Sequence, residues 1–230
     1  MIFVAEKYSV GRSWHYLKQC DRRHLRWATI IIKVLRIKEA DVLDPDRRRE
    51  LLDLVAEIVS DFRSDWTGQT RGRNLSGLTW RGAIELDLRS AVAARSHAEA
   101  TLASLNVDTS PLAADERFLI VHAHLVLEGS GRAADDDLDG ECWTNHVRSV
   151  LKATWNGPWR VLVKGLYEDQ SVPEAIFNLY NYTHKRLHRY TAAGGLGDER
   201  TKFGPHYERP WLRFIVDAYG GFTDELRSRR

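Results

Sequence analysis

The ten residues FLIVHAHLVL (118–127) constrain the fold more than any other stretch of the chain. Eight apolar positions enclose two histidines, and the run has the length and composition of a buried strand. Successive side chains of a strand point to opposite faces, so His122 and His124 point the same way, about 7 Å apart by strand rise. Val121, Ala123 and Leu125 occupy the other face. Phe118, Ile120 and Val126 share the face of the histidines, which argues that this side is covered as well.

The neighbouring segments say what such a strand pairs with. RWATIIIKVLRI (26–37) is dense in β-branched residues and predicts another internal strand. After it, Asp44 and Pro45 form a helix start, and Leu51, Leu54, Val55, Ile58, Val59 and Phe62 recur at helical spacing. TGQTRGRNLSG (67–77) ends that helix. LTWRGAIELDLRS then alternates, with Ile84, Leu86 and Leu88 on one face and Ala83, Glu85 and Asp87 on the other. An alanine-rich helix (91–105) interrupts the path to the histidine strand. Further on, CWTNHVRSVLKATW predicts a helix, PWRVLVKGLYE (158–168) a strand, and SVPEAIFNLYNYTHKRLHRY a helix with Ser171 near its N-cap. RPWLRFIVDAY suits either a helix or a strand. Strands joined without a crossover pair antiparallel, so the expected fold is α+β, a central antiparallel sheet flanked by helices. No linker divides the chain. A single domain over 1–230 is expected, with its core at about 26–190 and a C-terminal extension at 191–230.

Composition narrows the setting. The chain has 230 residues, and its 34 basic and 32 acidic side chains nearly cancel. Basic residues cluster in DRRHLR (21–26), RRR (47–49), RGR (71–73) and KRLHR (185–189), and acidic ones in DDDLDGE (135–141). Such separation is compatible with one basic groove and an acidic outer face, or with ordinary solvated charge. Two cysteines without CxxC spacing make a thiolate zinc site or a disulfide framework improbable. No stretch approaches the ~18 apolar residues of a spanning helix, so a soluble cytoplasmic protein is expected.

Two neutral imidazoles converging from one strand face make half of a divalent-metal site; the alternative is a solvated sheet face. A carboxylate normally completes such a site. Glu85, central in GAIELDL, is preferred, while Asp87, Glu116, Glu128 and His97 are rivals. His122, His124 and Glu128 also have the HxHxxxE spacing of cupin-like metal enzymes acting on small molecules. The glycines expected on either side are replaced by Glu116 and Asp135, and the long helices argue against an all-β barrel.

FLIVHAHLVLEG resembles the His-hydrophobic-His motif of HUH endonucleases, the rolling-circle replication initiators, relaxases and related transposases. The order of elements is similar to the replication-initiator type, with its HUH/RRM-like nuclease fold: a first strand like ATIIIKVL, a helix, then a carboxylate strand like GAIELDL. The resemblance spans roughly 26–190 and extends to YTHK (182–185), which is similar to the family's Tyr-x-x-Lys motif. Within that helix Ile176, Tyr180, Thr183, Leu187 and Tyr190 form an apolar stripe, whereas Asn178, Tyr182, Lys185 and Arg189 form a polar, partly basic one. Tyr182 is thus the expected nucleophile and Lys185 its electrostatic partner.

The resemblance implies metal-dependent nicking and rejoining of single-stranded DNA through a 5′-phosphotyrosine, as in initiation of rolling-circle replication. His122, His124 and Glu85 would hold Mg²⁺ or Mn²⁺. Arg186, Arg189 and Asn178 would contact single-stranded DNA or an origin hairpin. Trp66, Trp80 and Trp159 are candidates for base stacking, with core packing the alternative for each. No GxxxxGK[ST] loop is present, so strand separation would fall to a host helicase, with a host polymerase following. A catalytically silent DNA-binding domain of the same fold is the remaining expectation.

Overall fold

The computed structural model describes residues 11–71, 75, 77–89, 96–129, 141–183, 191–192, 206–207, 209–221 and 225–227. Two 3₁₀ helices, η1 (Arg12–Gln19) and η2 (Arg22–His24), lead into β1 (Leu25–Lys38), α1 (Glu39–Leu43) and α2 (Pro45–Arg71). Then come β2 (Thr79–Arg89), α3 (Ser96–Ser104), β3 (Glu116–Glu128), α4 (Glu141–Thr154), β4 (Val161–Gly165) and α5 (Val172–Thr183). The two-residue strands β5 (Thr191–Ala192) and β6 (His206–Tyr207) pair with each other, and α6 (Arg209–Gly220) and β7 (Glu225–Arg227) follow.

The main sheet runs β4-β1-β3-β2-β7, and every pairing in it is antiparallel. The expected α+β fold with a helix-flanked antiparallel sheet is therefore the fold observed. β1, α2, β2, β3, α4 and β4 follow the β-α-β-β-α-β order of a split βαβ unit, to which the remaining elements are additions. The histidine strand β3 lies in the middle, between β1 and β2. No helix among the described residues is long and apolar enough to cross a membrane.

Each helix forms where the local chemistry asks for it. Asp44 Oδ1 accepts from the backbone N–H of Asp46 and of Arg47, capping α2 at Pro45. The buried stripe of α2 is Val55, Val59, Phe62, Trp66 and Thr70, so Leu54 falls outside it and is exposed. The segment suited to helix or strand is α6, which buries Trp211, Phe214, Ile215 and Ala218 at helical spacing.

The sheet has two unlike faces. On one, α2, α4 and α6 bury Phe62, Trp66, Leu151 and Phe214 against Ala28, Ile30, Ile84, Leu86, Val121 and Leu125. The other face is covered in two pieces. At one end Trp14 and Leu17 of η1, with Ala175, Ile176 and Leu179 of α5, pack on Leu25, Trp27 and Val126. At the other, Leu102 and Leu105 at the end of α3 pack on Val34 and Phe118. Between the two pieces, on the same face, stand the histidines.

Two of the basic clusters, 21–26 and 47–49, fall within the described residues. Arg47, Arg48 and Arg49 start α2 in the helix layer, where Arg48 pairs with Asp217 of α6. Arg26 is buried and bonded to Thr144. Of the 71–73 and 185–189 clusters, all but Arg71 lies outside the described residues.

Glycine is required at position 82, where β2 pairs with β3. A Cβ at Gly82 would lie 2.0 Å from the His124 carbonyl oxygen, whereas one at Gly68, inside α2, would meet nothing within 4 Å. Gly82→Ala is expected to cost about 1–3 kcal/mol, lowering the thermal midpoint by about 2–12 °C. Gly68→Ala should raise stability slightly, by about 0.5–1 kcal/mol. Calorimetry showing the two variants alike would mean that β2 and β3 do not approach so closely.

Candidate metal centre

Antiparallel register decides which side chains meet on the half-covered face. Glu85 of β2 lies opposite His122, and Thr29 of β1 lies opposite His124. Parity then places Glu85, Thr29 and both histidines on one side of the sheet. Glu85 Oε2 is 3.0 Å from His124 Nε2 and 3.4 Å from His122 Nε2. Ligand atoms of Glu85, His122 and His124 all fall within 4.8 Å of one another, a spacing that one metal ion can span. His122 Nε2 is buried without a hydrogen-bond partner, which an imidazole nitrogen avoids unless a ligand satisfies it. A carboxylate and two imidazoles suit a divalent cation of borderline hardness. The residues present therefore fit the ion that the sequence led us to expect, without fixing its identity.

The surroundings hold the imidazoles in place. Thr29 Oγ1 lies 3.0 Å from His124 Nδ1. With the proton on Nδ1, His124 donates to Thr29 and turns its Nε2 lone pair toward the site, the tautomer a metal ligand needs. Trp27 stacks flat on the same ring, 5.2 Å between centroids at 5°. His122 meets His124 edge-on at 4.5 Å and 63°. Neither Thr29 nor Trp27 emerges from the sequence reading. Their only signal is a polar and an aromatic residue at alternate positions of RWATIIIKVL, which gains meaning once β1 is paired with β3.

The side chains of three of the four rival ligands, Asp87, Glu116 and Glu128, are described. Asp87 is buried beside Glu85 but is bound by Arg89, whose Nε donates to Oδ2 at 2.8 Å. Glu116 is held by Arg36 at one end of β3, about 20 Å from His122 by strand rise. Glu128, required by the cupin-like spacing, is at the other end, about 13 Å from His124. The side chain of His97 lies outside the described residues.

Helix α5 brings Tyr182 to the site. The helix buries Ala175, Ile176, Leu179 and Thr183, while Tyr180 turns to Trp14, edge-on at 5.5 Å. Tyr182 points off this stripe together with the exposed Asn178, whose Nδ2 donates to Gln170. Its ring sits edge-on to His124 at 4.8 Å and to Trp27 at 5.8 Å, with 41% of the residue still exposed. Partial burial, then the charges of Glu85 and Asp87, push the Tyr182 phenol up to about 12, with Arg89 opposing. Lys185, Arg186 and Arg189 lie outside the described residues. Of the three tryptophans, Trp66 and Trp80 belong to the core, and Trp159 is exposed.

Comparison with known proteins finds no matching family model, no matching curated sequence and no matching solved structure. The site's own geometry carries what can be tested. Mn²⁺ at about 100 times its Kd should stabilise the fold by about 2.7 kcal/mol, seen as a higher thermal midpoint. His124→Ala should abolish that shift. Thr29→Val should weaken Mn²⁺ binding by roughly 10- to 100-fold, measured by calorimetric titration. Unchanged affinity in Thr29→Val would show that Thr29 does not orient the ring.

Proposed function

We propose that the protein is a metal-dependent endonuclease that nicks and rejoins single-stranded DNA through a covalent tyrosyl intermediate. One observation carries this reading: a Glu-His-His group with metal-ligand spacing has a tyrosine ring 4.8 Å from one of its histidines. The resemblance of the His-Ala-His strand and of YTHK to HUH endonucleases supports it, as does the antiparallel sheet that carries the site.

Each residue has a defined task in this chemistry. His122, His124 and Glu85 would hold Mg²⁺ or Mn²⁺, which when bound supplies Lewis-acid activation of a phosphodiester. Tyr182 offers its phenolic oxygen to phosphorus; the new P–O bond forms as the bond to the 3′-oxygen breaks. The phenol gives up its proton and the departing oxygen takes one up, leaving a 5′-phosphotyrosine and a free 3′-OH. Because one ester replaces another, the 3′-OH can attack in turn and restore the strand. Trp27 and Thr29 keep His124 aimed at the site. Lys185, Arg186, Arg189 and Asn178 are proposed to steady the DNA. Single-stranded DNA or an origin hairpin in the cytoplasm is the proposed substrate, opened by a host helicase and copied by a host polymerase.

Single-stranded oligonucleotides labelled at the 3′ end, incubated with Mn²⁺, should yield a denaturation-resistant protein–DNA adduct. A 5′ label should appear instead on a shortened free fragment. Tyr182→Phe should abolish both products, and His124→Ala should reduce them by at least about 100-fold, as expected for a group acting in the transition state. An adduct that persists unaltered in Tyr182→Phe would remove Tyr182 as nucleophile. Binding without any adduct from the unaltered chain would leave a silent DNA-binding domain.

A further inference from the structure

The large apolar side chains that remain exposed are unevenly placed. Among the described residues, the exposed aromatics are Trp159 at 61%, Tyr167 at 53% and Tyr182. Trp159 and Tyr167 flank β4, the edge strand that pairs with β1. Within β4, Leu162 lies opposite Thr29 and Lys164 opposite Trp27, while Val161 and Val163 enter the core beneath. Leu162 and Lys164 therefore share the face of the metal centre, and Leu162 is 46% exposed. Leu162, Lys164 and Tyr167 form a strip from the centre to the sheet edge, with Trp159 three residues before Leu162 at one end. It runs about 10 Å across two strand spacings and about another 10 Å along β4 to Trp159.

Trp159 is held in a conformation that bulky residues rarely take, with φ of +59°. Its loop is fixed from several sides. Thr101 of α3 donates to the Pro158 carbonyl at 3.1 Å, and Gly157 turns the chain with φ of +135°. Arg160 donates to the carbonyls of Ile31, Ile32 and Asn156 at 3.0–3.2 Å. A strained residue that its surroundings over-determine is an observation from which function can be inferred. What the strain achieves here is to present an indole to solvent on a rigid support.

We propose that Trp159, Leu162, Lys164 and Tyr167 form a track on which single-stranded DNA lies as it enters the metal centre. The inference rests on the nuclease reading and adds the path of the strand. The chemistry fits that occupant. Aromatic faces accept unpaired bases whatever their sequence, and a lysine among them meets the phosphates. Lys164 Nζ sits 4.4 Å over the Tyr167 ring and donates to its hydroxyl at 2.9 Å, so charge and stacking surface are joined in one unit. Arg22 donates to the carbonyls of Tyr167 and Gln170, fixing the turn that carries this ring.

The test uses fluorescence anisotropy with a labelled single-stranded oligonucleotide in EDTA, on the full chain and on Trp159→Gly and Tyr167→Ala. Glycine accepts the positive φ, so Trp159→Gly should keep or raise the thermal midpoint. Its affinity should nonetheless fall by about 5- to 150-fold, the range that loss of one stacked base gives. Tyr167→Ala should also weaken binding, and a duplex of the same sequence should compete poorly. Trp159→Gly binding within twofold of the unaltered chain overturns the track, and adduct formation by the unaltered chain would then leave the nuclease reading standing. Loss of affinity in Trp159→Gly with no adduct from the unaltered chain reverses that outcome: the track stands and the nuclease reading falls. No binding of single strands by the unaltered chain overturns both.

Discussion

Everything at the candidate site depends on the register of three strands. His122 meets Glu85, and His124 meets Thr29, only because β2 and β1 each pair with β3 at one particular offset. A slip of one residue in either pairing would send the neighbour's side chain to the opposite face. The register is secured on the helix-packed face, where Ala28, Ile30, Ile84, Leu86, Val121, Ala123 and Leu125 are all buried in one core. Moving any of them to the other side would expose several aliphatic side chains at once, at roughly 1.5–3 kcal/mol each. The polar constellation is thus fixed by apolar packing behind it.

The same division explains how polar groups persist in a mostly buried strand. The core beneath is continuous, whereas the cover above is split between η1 with α5 and the end of α3. Histidines and a carboxylate occupy the interval, where water is scarce and a charge interacts more strongly than at an open surface. Tyr182 completes the cover there with an aromatic edge.

Legibility in the sequence followed the range of the interactions involved. Parity within one strand depends on the backbone alone, so the shared face of His122 and His124, and that of Glu85 and Asp87, could be read directly. The cap of α2 at Asp44 was equally local, as was the separation of Tyr182 from Tyr180 around α5. Pairing was harder. Thr29 and Trp27 lie about ninety-five residues from the histidine they support, and nothing in RWATIIIKVL names their partner. Glu85 was preferred over Asp87 for its central place in its strand; the register supplies the actual reason, since it is the residue opposite His122. The short η1 gave little periodic signal, yet its Trp14 and Leu17 close one end of the site's face.

β1 contains an irregularity between Ile31 and Lys33, where one extra residue enters its ladder with β3. Before it, Leu25, Trp27 and Thr29 face the histidines; after it, Val34 does so, and Leu35 and Ile37 turn to the helix-packed side. The bulge is thus a change of phase that lets one strand serve two differently spaced sets of neighbours. It is also where Arg160 grips the carbonyls of Ile31 and Ile32, beyond the last residue that β4 pairs. Ile31 in turn stands opposite His122. The support of the Trp159 loop and the seat of the His122 imidazole therefore hang on one short stretch of β1, Ile31 and Ile32. A displacement of the loop would be felt at the imidazole as a shift of its backbone, carried by the Arg160 side chain and the Ile31 main chain.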